Sequence, residues 1–227
     1  MEPKQRACEA ALKYVTDGMI VGLGTGSTVK FFIVALGLAV RSGKLRDVRG
    51  VPTSVASERL AQDSGLTVAG FSQVDRIDLT VDGADEIAPG LAMIKGLGGA
   101  LLREKIVAQN SRKLIIVADA GKLVSKLGTR SPLPVEVTSF AYEASERFLR
   151  QLGCVPTLRR RSDGAIYVTD NGNYIFDCKF AGIDDPVELD RQLSARAGIV
   201  ESGLFLNLAE LALVADDHSV RIMTRDG

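Results

Sequence analysis

Short apolar runs alternate with amphipathic stretches through the first half of the chain. The apolar runs predict buried strands, and apolar residues spaced three and four apart predict helices. We expect strands at residues 19–23, 48–53, 66–69, 77–81 and 113–118, and helices at residues 4–16, 31–40, 56–64 and 100–109. This alternation predicts an α/β fold with a Rossmann-like, mostly parallel sheet and helices on both faces.

The pattern changes near Pro132 and Pro134, which indicate a domain boundary. After them we expect a helix at residues 139–152 and strands at residues 157–161, 165–169 and 174–180. Turn sequences rich in Asp, Asn and Gly separate these strands, as in antiparallel hairpins. The second part of the chain is therefore predicted to be a smaller α+β domain with an antiparallel sheet.

The C-terminal region is expected to complete both domains. Asp185 predicts a helix start, because Asp is a favoured N-cap and the following Pro a favoured first helical residue. A last hairpin around residues 211–224 is expected to return to the first sheet. The predicted domains are residues 1–130 with 207–227, and residues 131–206.

The charge of the chain is balanced, with 28 Lys and Arg against 28 Asp and Glu in 227 residues. A nucleic-acid-binding protein usually carries a basic field, so no nucleic-acid partner is expected. The longest apolar run, residues 31–40, is too short to span a bilayer. With no signal or transit pattern at the start, we expect a cytoplasmic protein without a membrane partner.

Cysteine and histidine are too sparse for several kinds of site. Cys8, Cys154 and Cys178 are widely spaced and form no CxxC pair, which argues against a disulfide framework or a zinc knuckle. His218 is the single histidine and falls in the predicted turn of the last hairpin. A Ser-His-Asp triad or a histidine-rich metal site is therefore not expected.

A glycine-rich segment, Gly22-Leu23-Gly24-Thr25-Gly26-Ser27-Thr28, joins the first strand to the next helix. Glycines let a ligand approach the backbone, and the helix start offers N–H groups and positive dipole to a phosphate. The segment lacks the lysine of a Walker loop and the third glycine of the dinucleotide fingerprint, but fits a Gly-x-Gly-x-Gly methyltransferase loop. A tight turn capped by Ser27 is the simpler interpretation.

An acidic segment, Asp82-Gly83-Ala84-Asp85-Glu86, follows another apolar strand. Its carboxylates repel one another unless they hold hydroxyl groups, a cation or a proton. It lies at the carboxyl end of a strand, where α/β folds bind ligands. A solvated acidic turn and a divalent-metal site are the alternatives, the second without a histidine nearby.

A second glycine-rich segment, Lys95-Gly96-Leu97-Gly98-Gly99-Ala100, leads into a helix that carries Glu104 and Lys105. Such a helix start offers another cradle for an anion. Taken alone, Glu104 and Lys105 would be ordinary charges of a helix surface. Taken together, the three segments fit proton transfer next to the carbonyl of a phosphorylated sugar, if they converge on one crevice.

The ordered set of motifs resembles the type A ribose-5-phosphate isomerase family along essentially the whole chain. The matching segments are residues 24–28, 82–87, 95–99, 103–105, 117–119 with Lys122, 132–137 and 203–207. The family often has an unbroken glycine run where Leu97 stands here. Because the surrounding residues are intact, we expect residue 97 to contribute only its backbone.

The resemblance implies an aldose–ketose isomerase of the non-oxidative pentose phosphate pathway, which interconverts D-ribose 5-phosphate and D-ribulose 5-phosphate without a metal or organic cofactor. It implies that Glu104 is the base that moves a proton between C2 and C1 through an enediolate. Asp82 would assist ring opening, and Asp85 and Lys95 would hold the sugar oxygens and the developing charge. A homodimer or homotetramer is expected from the resemblance alone.

The substrate-binding residues also follow from the resemblance. They are Lys4, Thr25, Gly26, Ser27, Thr28, Asp82, Gly83, Ala84, Asp85, Lys95, Gly96, Leu97, Gly98 and Lys122. Lys4 and Lys122 would add positive charge near the phosphate, and no residue is assigned to a metal.

Two other functions remain open at this stage. A sugar-phosphate-binding regulatory module of the same fold would bind without turnover, but the sheet begins too early to leave room for a DNA-binding segment. A nucleotide or S-adenosylmethionine enzyme would need an acidic residue soon after the second strand. Thr53 and Ser54 stand there, with Glu58 further along.

Overall fold

The computed structural model of the protein describes residues 2–225. Its helices are α1 (Pro3–Leu12), α2 (Val29–Arg41), α3 (Val55–Asp63), α4 (Leu101–Gln109), α5 (Tyr142–Gln151) and α6 (Pro186–Ser194). Its strands are β1 (Ile20–Leu23), β2 (Arg49–Pro52), β3 (Thr67–Val68), β4 (Leu79–Asp82), β5 (Glu86–Ile87), β6 (Met93–Ile94), β7 (Leu114–Asp119), β8 (Leu133–Val137), β9 (Val155–Leu158), β10 (Tyr174–Lys179), β11 (Ile199–Ser202), β12 (Leu204–Phe205), β13 (Leu211–Ala215) and β14 (Val220–Thr224). Within residues 2–225, no helix is long and apolar enough to cross a membrane.

Contacts divide the chain into two compact units. The first unit is Met1–Ala84, Arg103–Lys122 and Asn207–Gly227, and the second is Asp85–Leu102 with Leu123–Leu206. Residues 85–102 and 123–130 fall in the second unit, although the sequence pattern assigned them to the larger domain. The physical reason is strand pairing, because β6 pairs with both β5 and the late strand β12.

The first unit contains a seven-stranded sheet in the order β14-β13-β7-β4-β1-β2-β3. All neighbouring strands are parallel except β13 and β14, which form the predicted terminal hairpin. β13 joins the sheet beside β7. The predicted α/β class and the return of the last hairpin to the first sheet are confirmed.

Burial explains why the strands of the first unit read as continuous apolar runs. Every residue of β1, β4 and β13 is buried, as expected for a parallel sheet covered on both faces. Helix α3 begins where predicted within one residue, because the Ser54 hydroxyl accepts the Ser57 N–H at 3.0 Å in a capping box.

The second unit holds an antiparallel sheet in the order β11-β8-β10-β9 and a smaller sheet in the order β12-β6-β5. The Asp185 carboxylate caps α6 as predicted, accepting the N–H groups of Val187 and Glu188. The strand predicted at residues 165–169 is wrong, because only an isolated bridge between Arg160 and Ile166 forms there. The short strands β5 and β6 were not predicted, since two residues are too few for a visible period.

Glu86 is a buried carboxylate that organises the second unit. Its oxygens accept backbone N–H groups from Gly128 and Arg130, both at 2.7 Å, and from Ser131 at 2.5 Å. Hydrogen bonds to a charged group contribute about 1.5–3 kcal/mol each. The carboxylate therefore fixes the segment that enters β8.

Candidate active site

The strand order of the first unit reverses at β1. From β1 the chain proceeds to β2 on one side, whereas β4 and β7 lie on the other. β1 and β4 pair in parallel with Leu23 opposite Val81, so their carboxyl ends lie side by side. In open α/β sheets such a switch point is where ligands bind. The segments that follow these two strands are the predicted residues 24–28 and 82–84.

The Asp82 carboxylate is held by backbone N–H groups at this switch point. Asp82 is 1% exposed, and its Oδ1 accepts the N–H of Gly83 at 2.7 Å and of Thr25 at 3.2 Å. A methyl group at Gly24 would lie 2.1 Å from the same oxygen. Only glycine at position 24 therefore lets the first glycine-rich segment approach the carboxylate this closely. The hydrogen bond between Thr25 and Asp82 brings together two of the predicted site residues.

A cluster of hydroxyl groups supports Thr25 and was not predicted as part of the site. Thr25 Oγ1 lies 2.7 Å from Thr53 Oγ1 and donates to Ser54 Oγ at 2.8 Å. Thr53 in turn donates to the Leu23 carbonyl at 3.0 Å. Two adjacent hydroxyl residues at the end of a predicted strand were the available signal for this cluster.

Gly26, Ser27 and Thr28 lead into α2. Gly26 has φ +119°, a conformation that favours glycine. Thr28 occupies the N-cap position instead of the predicted Ser27, and it makes no side-chain capping bond. The first turn of α2 carries no acidic residue, so the positive end of the helix dipole is not offset there.

In the second unit, Asp85 comes directly before β5 and Lys95 directly after β6, and these two strands pair in a hairpin. Glu86 pairs with Ile94, and the Asp85 N–H donates to the Ile94 carbonyl at 2.8 Å, one residue out of step with that register. Lys95 is 2% exposed, and its Nζ lies 5.2 Å from the centroid of the Phe205 ring. Two predicted site residues of opposite charge therefore lie at the same end of this hairpin.

The second glycine-rich segment folds back onto Asp85. The Leu97 N–H donates to Asp85 Oδ2 at 2.9 Å, and the Gly99 N–H donates to the Gly96 carbonyl at 2.9 Å. The Leu97 side chain itself is 41% exposed. The observed hydrogen bonds of residue 97 are therefore made by its backbone, while its side chain faces solvent.

Glu104 lies in the first turn of α4, which begins at Leu101 directly after this segment. Its side chain is buried with only 3% exposure, and the neighbouring Lys105 is 6% exposed. Neither residue is an ordinary charge of a helix surface, since Glu and Lys are rarely buried this far. The alternative of a solvated helix face is wrong for both.

Lys4 and Lys122 are half-buried residues of the first unit. Lys4 lies in the first turn of α1, and Lys122 ends a short 3-10 helix after β7. Among residues 2–225, no hydrogen bond joins either side chain to another predicted site residue. Their expected contact with a phosphate stays a prediction.

Neither cysteine nor histidine has a predicted role in this arrangement, although Cys8 Sγ donates to the Thr28 carbonyl at 3.2 Å. The three cysteines are free and buried, and burial raises the pKa of the Cys8 thiol to about 12. His218 lies in the predicted hairpin turn, where its N–H donates to Asp216. In the described part of the chain, no group of three or more His, Cys, Asp or Glu residues is arranged to hold a metal ion.

The chain is similar to proteins of one family over nearly its full length. The family model described as ribose 5-phosphate isomerase A (phosphoriboisomerase A) matches residues 49–219. A ribose-5-phosphate isomerase A of Gloeobacter violaceus is 49% identical over 222 residues, which cover 97% of this chain and 95% of the relative. A solved D-ribose-5-phosphate isomerase in complex with phospho-erythronic acid is 39% identical, with a TM-score of 0.95 and 97% of each chain covered. The ribose 5-phosphate isomerase from Plasmodium falciparum is 38% identical, with a TM-score of 0.94 and 99% of each chain covered.

Proposed function

The chain belongs to the ribose 5-phosphate isomerase A family and is an aldose–ketose isomerase; on that premise we propose how its own residues carry out the reaction. The family resemblance drawn from the sequence is confirmed, and these relatives lend no support to a methyltransferase or a regulatory module. The proposed reaction interconverts D-ribose 5-phosphate and D-ribulose 5-phosphate through an enediolate, with no cofactor.

Glu104 is the proposed general base. It removes the proton from C2 of the open-chain aldose, the C–H electron pair becomes the C1=C2 bond, and the carbonyl pair moves onto O1. Glu104 then returns the proton to C1, while the O2 hydroxyl proton passes to O1 and the C2 carbonyl forms. The observation that carries this assignment is a buried carboxylate in the first turn of the helix that follows the second glycine-rich segment.

Asp82 is proposed to assist ring opening. A carboxylate can take the proton of the anomeric hydroxyl and deliver one to the ring oxygen, provided that its position is fixed. The N–H groups of Thr25 and Gly83 supply that fixation by binding one of its oxygens.

Asp85 and Lys95 are proposed to hold the sugar hydroxyls and the charge that develops on O1. An enediolate oxygen is strongly basic, and a preorganised cation or N–H group stabilises it more than it stabilises the carbonyl. Lys95 is buried in a hairpin that limits its movement. Gly96, Leu97 and Gly98 would contribute backbone groups beside it.

The phosphate is assigned to Thr25, Gly26, Ser27 and Thr28, with positive charge from Lys4 and Lys122. The first turn of α2 supports this assignment, because its N–H groups and dipole favour an anion. Gly83 and Ala84 would line the same substrate. The isomerisation itself leaves the phosphate unchanged, so these residues contribute binding and orientation.

The experiment compares the wild type with Glu104→Gln in the presence of EDTA, following ribulose 5-phosphate formation from ribose 5-phosphate. Glu58→Gln is the matched control, because Glu58 also lies in the first turn of a helix, α3, and is half-buried. We expect Glu104→Gln to lose at least the ~10²–10⁴-fold that general acid–base assistance provides. Glu58→Gln should retain wild-type turnover.

Binding separates loss of chemistry from loss of folding. A relative was solved in complex with phospho-erythronic acid, and we propose that this compound also raises the melting temperature of this protein and of Glu104→Gln. Normal turnover by Glu104→Gln would contradict the assignment of the base. Binding of sugar phosphate by the wild type without any turnover would contradict the proposed reaction.

Assembly and location are further proposals. Family membership supports a homodimer or homotetramer in the cytoplasm, acting on a small sugar phosphate. Light scattering coupled to size exclusion measures the mass of the particle, and a particle of 24.2 kDa would contradict the oligomer.

A further inference from the structure

We propose that Arg159, clamped by Asp177, is a positioning residue for the isomerisation that sets the orientation of the second glycine-rich segment and, through it, of Asp85. The inference rests on the proposed role of Asp85 in binding the sugar. Arg159 is not among the residues to which the proposed reaction assigns a chemical step. All the groups that carry the inference lie in the second unit.

The Arg159 guanidinium is itself held rigidly. Arg159 follows β9, and Asp177 lies on the neighbouring strand β10, where it pairs with Thr157. Arg159 Nε donates to Asp177 Oδ2 at 2.9 Å and Nη2 donates to Oδ1 at 2.5 Å. The two side chains are only 12% and 24% exposed. A bidentate pair of this kind fixes both the position and the plane of the guanidinium.

The free edge of this guanidinium faces the glycine-rich segment. Arg159 Nη1 donates to the carbonyls of Gly96 and Leu97, both at 3.1 Å. The Tyr167 ring also packs beside the guanidinium, with its centroid 5.8 Å from Cζ. One cation thus holds two consecutive carbonyls of the segment on the same side.

The peptide plane transmits this orientation to Asp85. In a trans peptide the C=O and the following N–H point in opposite directions. Because Arg159 holds the Gly96 carbonyl, the N–H of Leu97 points away from Arg159. That N–H donates to Asp85 Oδ2 at 2.9 Å. The path from Asp177 to Asp85 therefore consists of hydrogen bonds and one rigid peptide plane.

Geometry distinguishes this role from simple positive charge. A lysine has one charged nitrogen, and cannot bond Asp177 in a bidentate manner while reaching two carbonyls. If Arg159 acted only through its charge, Arg159→Lys would restore activity. If it acts by orientation, Arg159→Lys should resemble Arg159→Met.

The test measures kcat and KM for Arg159→Met, Arg159→Lys and Asp177→Asn, at a temperature where melting curves show every variant folded. Arg161→Met is the matched control, since it removes an exposed arginine two residues away in the chain. We expect Arg159→Met to lower kcat by ~10²-fold, the effect of misplacing a group by ~1 Å. The kcat of Arg159→Lys should stay below about a tenth of the wild-type value. The kcat of Asp177→Asn should fall by ~10-fold, and that of Arg161→Met should equal the wild-type value.

A double-mutant cycle supplies the readout that a merely structural role would not move. In the Asp85→Asn background, Arg159→Met should cost less than about threefold, because the group that it positions is already altered. An equal loss of kcat in both backgrounds, or wild-type kcat in Arg159→Met while Asp85→Asn is impaired, would overturn the positioning role. Wild-type activity in Asp85→Asn would instead remove the proposed role of Asp85, and the inference with it.

Discussion

Gly24 separates the ends of β1 and β4, and replacing it with alanine tests the proposed role of Asp82 without changing any polar group. The added methyl would lie 2.1 Å from Asp82 Oδ1, 2.3 Å from Cγ and 2.7 Å from Cα. Rotation of the Asp82 side chain can relieve the first two contacts. The third involves backbone in a strand that is paired on both sides, so it is relieved only if a strand end moves.

The size of the clash sets the expected loss of activity. The contact with Cα is about 0.7 Å shorter than ordinary van der Waals contact, so Asp82 or the first glycine-rich segment must shift by a similar distance. A misplacement of ~1 Å can cost ~10²-fold in rate, and we expect kcat/KM for Gly24→Ala to fall by roughly 30- to 100-fold. Overpacking of this kind costs ~1–3 kcal/mol of stability. At ~2–4 °C per kcal/mol for a chain of this size, the variant should remain folded in the assay.

The assay follows ribulose 5-phosphate formation, with a melting curve for each variant. Gly70→Ala is the matched control, because Gly70 has φ −95° and a methyl there would meet nothing within 4 Å. It should keep full activity and gain up to ~1 kcal/mol of stability, since alanine restricts the unfolded chain. A folded Gly24→Ala with activity within about threefold of the wild type would refute the reasoning, because Asp82 would then need no fixed position.

Three further predictions concern other residues. Leu97→Ala should keep kcat within about threefold of the wild-type value, because the hydrogen bonds of Leu97 are made by its backbone. A larger loss of kcat in steady-state kinetics would show that the Leu97 side chain contacts the substrate. Glu86→Gln should lower the free energy of unfolding by ~3–5 kcal/mol in urea titrations, because an amide nitrogen would face a backbone donor; an unchanged midpoint would contradict this. Burial raises the pKa of Cys8 from 9.0 to about 12. Between these two values the unfolded chain releases a proton that the folded chain keeps, so the free energy of unfolding should fall as the pH rises above about 9. The wild type should lose up to ~1.4 kcal/mol per pH unit more than Cys8→Ala in this range, and equal slopes would count against it.

Local sequence signals predicted most elements of the first unit. Each buried strand such as β1 or β7 is a short apolar run between turn residues, and the helices show apolar residues at helical spacing, with a side-chain cap at α3. These signals depend on residues within a few positions of one another, so a single chain is enough to read them. The same holds for the two glycine-rich segments and the acidic segment, whose order along the chain carried the family resemblance.

Tertiary structure decided which distant residues meet. The three-residue run Arg159-Arg160-Arg161 contains nothing that distinguishes its first member, and only the pairing of β9 with β10 brings it to Asp177. Likewise, the hairpin β5–β6 is too short to show a period, yet its strand pairing puts Asp85 and Lys95 at the same end of the hairpin. The strand predicted at residues 165–169 failed for the same reason, because a β-strand needs a partner as well as a pattern.

By itself, then, the sequence determined the α/β class, most elements of the first unit, the segments proposed to carry the chemistry, and the family. Only the folded chain decided that Thr25 and Asp82 share a hydrogen bond, that Glu104 is buried and that Arg159 holds the second glycine-rich segment. The physical reason is the separation along the chain of the residues that interact. Secondary structure and capping depend on residues within a few positions of one another. Burial, strand pairing and side-chain contacts depend on residues tens of positions apart, whose meeting no local pattern encodes.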